Sequence, residues 1–158
     1  MLSSLHSTVE TCESSVIAIN PSMPASLILV DSSVWIDYYH PRGASKLKHF
    51  VKTALQQGTV ATMGLIAVEV LQGASVPLVF ANLQEDFLGL HWLELTQSIW
   101  LEAAQLAVRL RQSGLSIPTT DVIIAATALH YECRLWHHDR DFALLARQIP
   151  TLHETTLT

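Results

Sequence analysis

Leu27-Ile-Leu-Val30, followed at once by Asp31, is the stretch on which the fold turns. A short, unbroken apolar run ending in an acid predicts a strand covered on both faces, the kind found inside parallel sheets. Downstream, Ser45 to Gln57 predicts a helix with Leu47, Phe50, Val51 and Ala54 on one face and Gly58 as its stop. Thr59-Val-Ala61 reads as a second short strand, and Thr62 or Gly64 opens a helix closed by Gly73. A helical stretch around Pro77 to Phe87 precedes a strand over Leu90 to Leu95.

The clearest helix follows, capped by Thr96 or Ser98, with Ile99, Ala103, Leu106, Ala107 and Leu110 at spacings of three and four, and Gly114 beyond its end. Pro118 to Asp121 starts another helix, Arg134 to His138 makes a last strand, and Asp139 to Gln148 a last helix. Strands alternating with helices predict an α/β sandwich with a mainly parallel sheet. Upstream of Ser26 the residues are rich in Ser and Thr and have no periodicity, so 1–25 reads as a flexible extension and 26–158 as one domain. Met23, just before the first strand, is an alternative natural start.

Apolar residues make up 49% of the 158 and charged residues 15%, which excludes disorder over most of the chain. No stretch approaches the roughly 18 apolar residues of a membrane span. Residues 1–21 have no basic start and carry Glu10 and Glu13, unlike a secretory signal, so a cytoplasmic protein is expected. Two cysteines, Cys12 and Cys133, do not make a disulfide framework. Fourteen acids against nine bases give −5, which argues against holding nucleic acid by bulk positive charge.

The acids are not scattered. In open α/β sheets functional groups collect beyond the carboxyl ends of the strands. Asp31 follows the first strand, Asp139 follows the last with Asp141 two further on, and Asp121 begins a helix at the same edge. Glu69 lies inside a helix among Ile66, Val68, Val70 and Leu71, where an unpaired carboxylate is costly to desolvate. Singly, each has a plain structural explanation as a cap, a loop residue or a solvated side chain. Together, carboxylates at one edge repel one another unless a cation neutralises them, and oxygen-only ligands suit Mg²⁺ or Mn²⁺. Such a site commonly works on phosphates, with phosphodiester hydrolysis the natural reaction.

Val30-Asp31-Ser-Ser-Val-Trp-Ile-Asp37 resembles the opening of PIN-domain ribonucleases, and among them the VapC-type toxins of type II toxin–antitoxin systems. Glu69-Val-Leu-Gln-Gly73, Asp121-Val-Ile-Ile-Ala-Ala-Thr-Ala128 and His138-Asp-Arg-Asp-Phe142 resemble the family's later motifs in order and spacing. The resemblance spans about Leu27 to Ile149 and implies a PIN-like three-layer α/β/α sandwich. It further implies a magnesium-dependent endoribonuclease in which Asp31, Glu69, Asp121 and Asp139 hold one or two Mg²⁺, with Mn²⁺ able to substitute and Asp141 as a fifth ligand. Either Asp139 or Asp141 can be the fourth primary ligand. Ser32 could donate to a ligand or a water. The resemblance also implies a product with a 5′ phosphate, a homodimer, and a small antitoxin whose tail lies over the acidic groove and can insert an Arg there. A housekeeping PIN nuclease and a catalytically silent PIN scaffold are the alternatives; the scaffold would predict gaps in the acidic set, and none is missing.

Other chemistries lack their residues. A haloacid-dehalogenase type needs a second Asp where Ser33 stands, a receiver needs an acidic pair at its first strand, and no Gly-x-Ser-x-Gly or P-loop is present. His137 and His138 lack the partners of a transition-metal site. Arg42, Lys46, Lys48 and Lys52 fall in a stretch with no acid between Asp37 and Glu69, and with Arg140 they are candidates for the RNA backbone. Trp35, Tyr38 and Tyr39 are candidates for stacking a base, although Trp35 also reads as core. If Pro77 to Phe87 is not needed by the core, it is a candidate antitoxin contact. Removing Asp31, Glu69, Asp121, Asp139 and Asp141 from fourteen acids leaves nine against nine bases, so the acidic site accounts for the whole −5.

Overall fold

The computed structural model describes residues 26–158; the extension 1–25, Cys12 and the alternative start at Met23 lie outside them. Five strands of the described residues form one sheet: β1 (Ile28–Val30), β2 (Val60–Thr62), β3 (His91–Trp92), β4 (Arg134–His137) and β5 (Glu154–Thr156). Their order is β3-β2-β1-β4-β5 and every neighbouring pair is parallel. The chain therefore starts in the middle, builds outward through β2 and β3, and crosses back to lay β4 on the other side of β1. Leu29 and Val30, covered on both faces, are fully buried.

Among the described residues seven helices complete the fold: α1 (Ser32–Tyr39), α2 (Ser45–Gln56), α3 (Gly64–Leu71), α4 (Pro77–Leu88), α5 (Gln97–Gln112), α6 (Thr119–His130) and α7 (Arg140–Gln148). Their main contacts fall into two sets, α1 with α2 and α3 and α3 with α4, and α5 with α6 and α6 with α7. This is the expected three-layer α/β/α arrangement. Helix α6 is buried without a break from Val122 to Ala128, and its alanines let α5 approach closely. Thr96 caps α5 by accepting from the Ile99 N–H, and Gly58 and Gly114, read as stops, take φ of 64° and 82°.

Several expectations need correction. Helix α1 was not anticipated; it starts because Asp31 caps it, and it buries Val34 and Trp35. Strand β3 is two residues rather than Leu90 to Leu95, since Trp92 and Glu94 face solvent at this edge. Strand β5 was also unanticipated: Glu154-Thr-Thr156 is polar, and its place comes from backbone pairing with β4 and a 2.7 Å contact between Glu154 Oε2 and His137 Nε2. Phe50 is exposed rather than core-facing. Cys133 is buried, and burial pushes its thiol up to about 11, leaving it protonated and unreactive at neutral pH. Among the described residues no helix is long and apolar enough to cross a membrane.

Gly43 joins α1 to α2 where the backbone passes so close to α1 that a Cβ would meet the Asp37 carbonyl oxygen at 1.8 Å. Gly43→Ala is therefore expected to destabilise the protein by on the order of 2–3 kcal/mol, lowering Tm by roughly 5–10 °C. An unchanged thermal melt would show that this turn reorganises freely.

Candidate functional site

The sheet order makes a topological switch between β1 and β4, the place where open α/β sheets bind ligands beyond their carboxyl ends. Two aspartates stand at that point, one beyond the end of each strand. Asp31 follows β1, extends its pairing by donating its N–H to the Trp136 carbonyl at 2.9 Å, and is only 4% exposed. Its Oδ2 accepts from the Ser33 N–H and the Ser33 hydroxyl, capping α1. Asp139 follows β4 and caps α7, its Oδ1 accepting from the Asp141 N–H at 2.9 Å. Capping thus uses one carboxylate oxygen of each and fixes the direction of the other.

Asp121 and Asp141 enter from the first turns of α6 and α7. A helix N-terminus ordinarily favours an ionised acid. For Asp121 the opposite wins: burial first, then the charges of Asp31, Asp139 and Asp141, push its carboxyl up to about 6 from the ordinary 3.8, against a weak opposing bond from the Thr120 hydroxyl. Four aspartates from three chain segments therefore share one electrostatic neighbourhood.

Glu69 is not one of the groups acting on Asp121. It is half-buried, five residues into α3, about 8 Å along that helix from its start. Its neighbour Val68 is 63% exposed, so the helix is less enclosed here than its apolar sequence suggests. Ser32 is half-buried and makes no side-chain hydrogen bond among the described residues. The serine that organises the site is Ser33: its hydroxyl donates to Asp31 and accepts from the His138 N–H at 3.0 Å, joining the end of β1 to the loop after β4. An Asp followed two residues later by Ser is a local capping pattern that would have flagged it.

Among the described residues no three of His, Cys, Asp and Glu stand close enough to enclose a metal ion. That matters less for magnesium than for zinc. Mg²⁺ keeps several waters and takes one or two carboxylates together with substrate phosphates, so a looser set of hard oxygens fits it. The repulsion felt at Asp121 is what a divalent cation would relieve. His137 is no ligand: fully buried, it accepts the Asp139 N–H at Nδ1 and therefore offers its Nε2–H to Glu154. His138 Nδ1 lies 2.7 Å from Asp37 Oδ2, clasping α1 to the same loop. A separation of 101 positions hides this pair from sequence reading.

The basic candidates separate. Lys48 is committed to α1, its Nζ donating to the His40 carbonyl at 2.6 Å, while Arg42, Lys46 and Lys52 are exposed. Arg140 projects into solvent, with Nε 3.9 Å from Asp141 Oδ1. Trp35 is core, 1% exposed with its indole N–H on the Val30 carbonyl, and so is not available to stack a base; Tyr38 and Tyr39 pack against it half-buried.

A family model described as the PIN domain matches residues 28–148. The chain is 29% identical over 124 residues to the VapC ribonuclease Mb1587 of Mycobacterium bovis, a match covering 77% of this chain and 92% of that protein. The same figures hold for the ribonuclease VapC11 of Mycobacterium tuberculosis. Among solved structures, VapBC2 from Rickettsia felis bound to a promoter DNA fragment shares the fold with a TM-score of 0.68 at 16% identity, over 84% of this chain and 99% of that one.

Proposed function

The chain belongs to the PIN-domain family, and from that premise we propose that it is a magnesium-dependent endoribonuclease and the toxin half of a toxin–antitoxin pair. The observation that carries the reading is the meeting of Asp31, Asp121, Asp139 and Asp141 at the switch point, with Asp121 pushed up to about 6 by burial and the other three. The relatives named ribonuclease, and the solved VapBC complexes of like fold, support it.

In this reading Asp31, Asp121, Asp139 and Asp141 would hold Mg²⁺ or Mn²⁺, with Glu69, half-buried on α3, as a further candidate. The cation supplies charge that neutralises phosphate oxygens and makes water acidic enough to attack near neutral pH. The chain's own contribution is positional. Ser33 holds Asp31 by one oxygen and leaves the other for the site, while the cap bond to Asp141 does the same for Asp139. Asp121, buried beside three other carboxylates, is the acid whose crowded negative charge a bound cation would most relieve. Ser32, which makes no side-chain hydrogen bond among the described residues, is placed to donate to a ligand.

The antitoxin is expected on α4, where Leu78, Val79 and Phe80 are exposed and only Phe87 is buried. A second apolar face, Trp100, Leu101 and Val108 on α5, suits a homodimer. A cytoplasmic setting accompanies an RNA substrate.

The test is cleavage of labelled single-stranded and structured RNAs. Cleavage with Mg²⁺ that leaves 5′ phosphates, stops with EDTA and returns with excess Mg²⁺ is the expected result. Cleavage indifferent to EDTA would remove the cation from the reading, and failure to cut any RNA would remove the nuclease.

A further inference from the structure

The loop Leu115–Ile117 joins α5 to α6 and faces α7 across a groove of about 490 Å³. Ser116 and Ile117 line one wall; Arg140, Asp141, Leu144 and Arg147 line the other. Its volume lies within the range of roughly 300–1,000 Å³ typical of small-molecule sites. Arg140 and Arg147 are seven residues apart and so share one face of α7, two turns from each other. Arg111, in the last turn of α5, stands on the far flank of the same loop, beside Leu115 and Ile117.

Three of the nine bases thus surround three loop residues in a chain of net charge −5. The acid in the groove wall is Asp141, which belongs to the acidic site and acts on Asp121. Among the described residues neither Arg111 nor Arg147 is paired with a carboxylate. A groove that carries the guanidinium groups of Arg140, 3.9 Å from Asp141, and of Arg147, which has no carboxylate partner among the described residues, with Ile117 and Leu144 on its facing walls and Asp141 of the acidic site within it, complements a single polynucleotide strand. Phosphates match the arginines, a ribose or base face matches the apolar walls, and the scissile phosphate reaches the acids.

We propose that this groove is the track for the RNA strand beside the scissile phosphate, with Arg140 and Arg147 binding its phosphates and Arg111 flanking the loop that walls it. The proposal rests on the nuclease reading and replaces α2 as the principal backbone contact. Lys48 of α2 is spent on the His40 carbonyl, whereas the α7 groove is continuous with the site through Asp141.

The experiment measures binding of a fluorescein-labelled single-stranded RNA by fluorescence anisotropy across a salt series, in an Asp31→Asn background where cleavage is slowed roughly 10³-fold. Arg140→Gln with Arg147→Gln is expected to weaken binding at least tenfold. It is also expected to flatten the log–log salt slope by about 1.4, at about 0.7 per lost phosphate contact on a single strand. Lys46→Gln with Lys52→Gln should stay within twofold of the parent. In the cleaving protein the arginine pair should raise KM with kcat retained. Both substituted pairs are exposed, and unchanged thermal melts will confirm folding. An unchanged affinity and slope for the arginine pair, or transfer of the loss to the lysine pair, overturns the proposal. So does a groove that binds an acidic peptide while RNA affinity is untouched by its substitution. If the wild-type protein cuts RNA and the arginine pair is silent, only the groove assignment falls; if it neither binds nor cuts RNA, the nuclease reading falls with it.

Discussion

Asp121→Asn is expected to abolish RNA cleavage and, at the same time, to make the metal-free protein more stable. Burial and three nearby carboxylates raise the Asp121 carboxyl to about 6 in the folded chain, from 3.8. The folded protein therefore binds a proton that the unfolded chain releases between those values, and stability falls as pH rises through that window. The penalty is absent below about pH 4 and complete above about pH 6. An amide removes it. Because the side chain keeps some solvent access, the gain at pH 7.5 is discounted to roughly 1–2 kcal/mol, about 3–6 °C in Tm. At pH 4 the two proteins should melt together. Mg²⁺ should raise the wild-type Tm and narrow the gap, since the cation removes the same repulsion. Thermal melts at both pH values, with and without Mg²⁺, check this; a variant less stable at pH 7.5, or one that cuts RNA at the wild-type rate, contradicts it.

Asp31 separates charge from geometry. In Asp31→Asn the amide oxygen can still accept from the Ser33 N–H and hydroxyl, so α1 stays capped while the charge is lost. Cleavage should fall by roughly 10³-fold, the loss of about 4 kcal/mol of charge stabilisation in the transition state. Asp31→Ala should lose the same activity and also the cap, costing about 1–2 kcal/mol, and it frees Ser33 from one of its two anchors. Rates with Mg²⁺ in excess, together with the Tm of both variants, test the pair of expectations. If Asn kept the wild-type rate, Asp31 would be a cap and nothing more.

Much of the architecture is legible locally. The apolar run before Asp31, the three-and-four spacing of α5, the unbroken apolar stretch of α6 and the glycine stops each act over a few residues, and the structure follows them. Helix α1 escapes such reading because its apolar residues Val34, Trp35 and Ile36 are contiguous rather than spaced, and its start depends on a cap that also reads as a strand end. Strand β5 escapes it because an edge strand of Glu and Thr is held by backbone pairing and by His137, neither of which leaves an apolar pattern. Arg147 reads as an ordinary base complementing the end of its helix, and only the facing loop makes it part of a groove.

The sequence by itself determined the layer architecture and the acids that follow strands or open helices, because burial and capping are decided by neighbours along the chain. It also supplied the family motifs. The tertiary structure alone decided which acids meet. By laying β4 beside β1, the sheet brings residues 31, 121, 139 and 141 into one electrostatic neighbourhood and leaves Glu69 outside the group that acts on Asp121. It also showed that Ser33 ties the end of β1 to the loop after β4. Repulsion between carboxylates depends on distance and on the solvent excluded around them, and across some ninety residues of chain no local pattern sets either one.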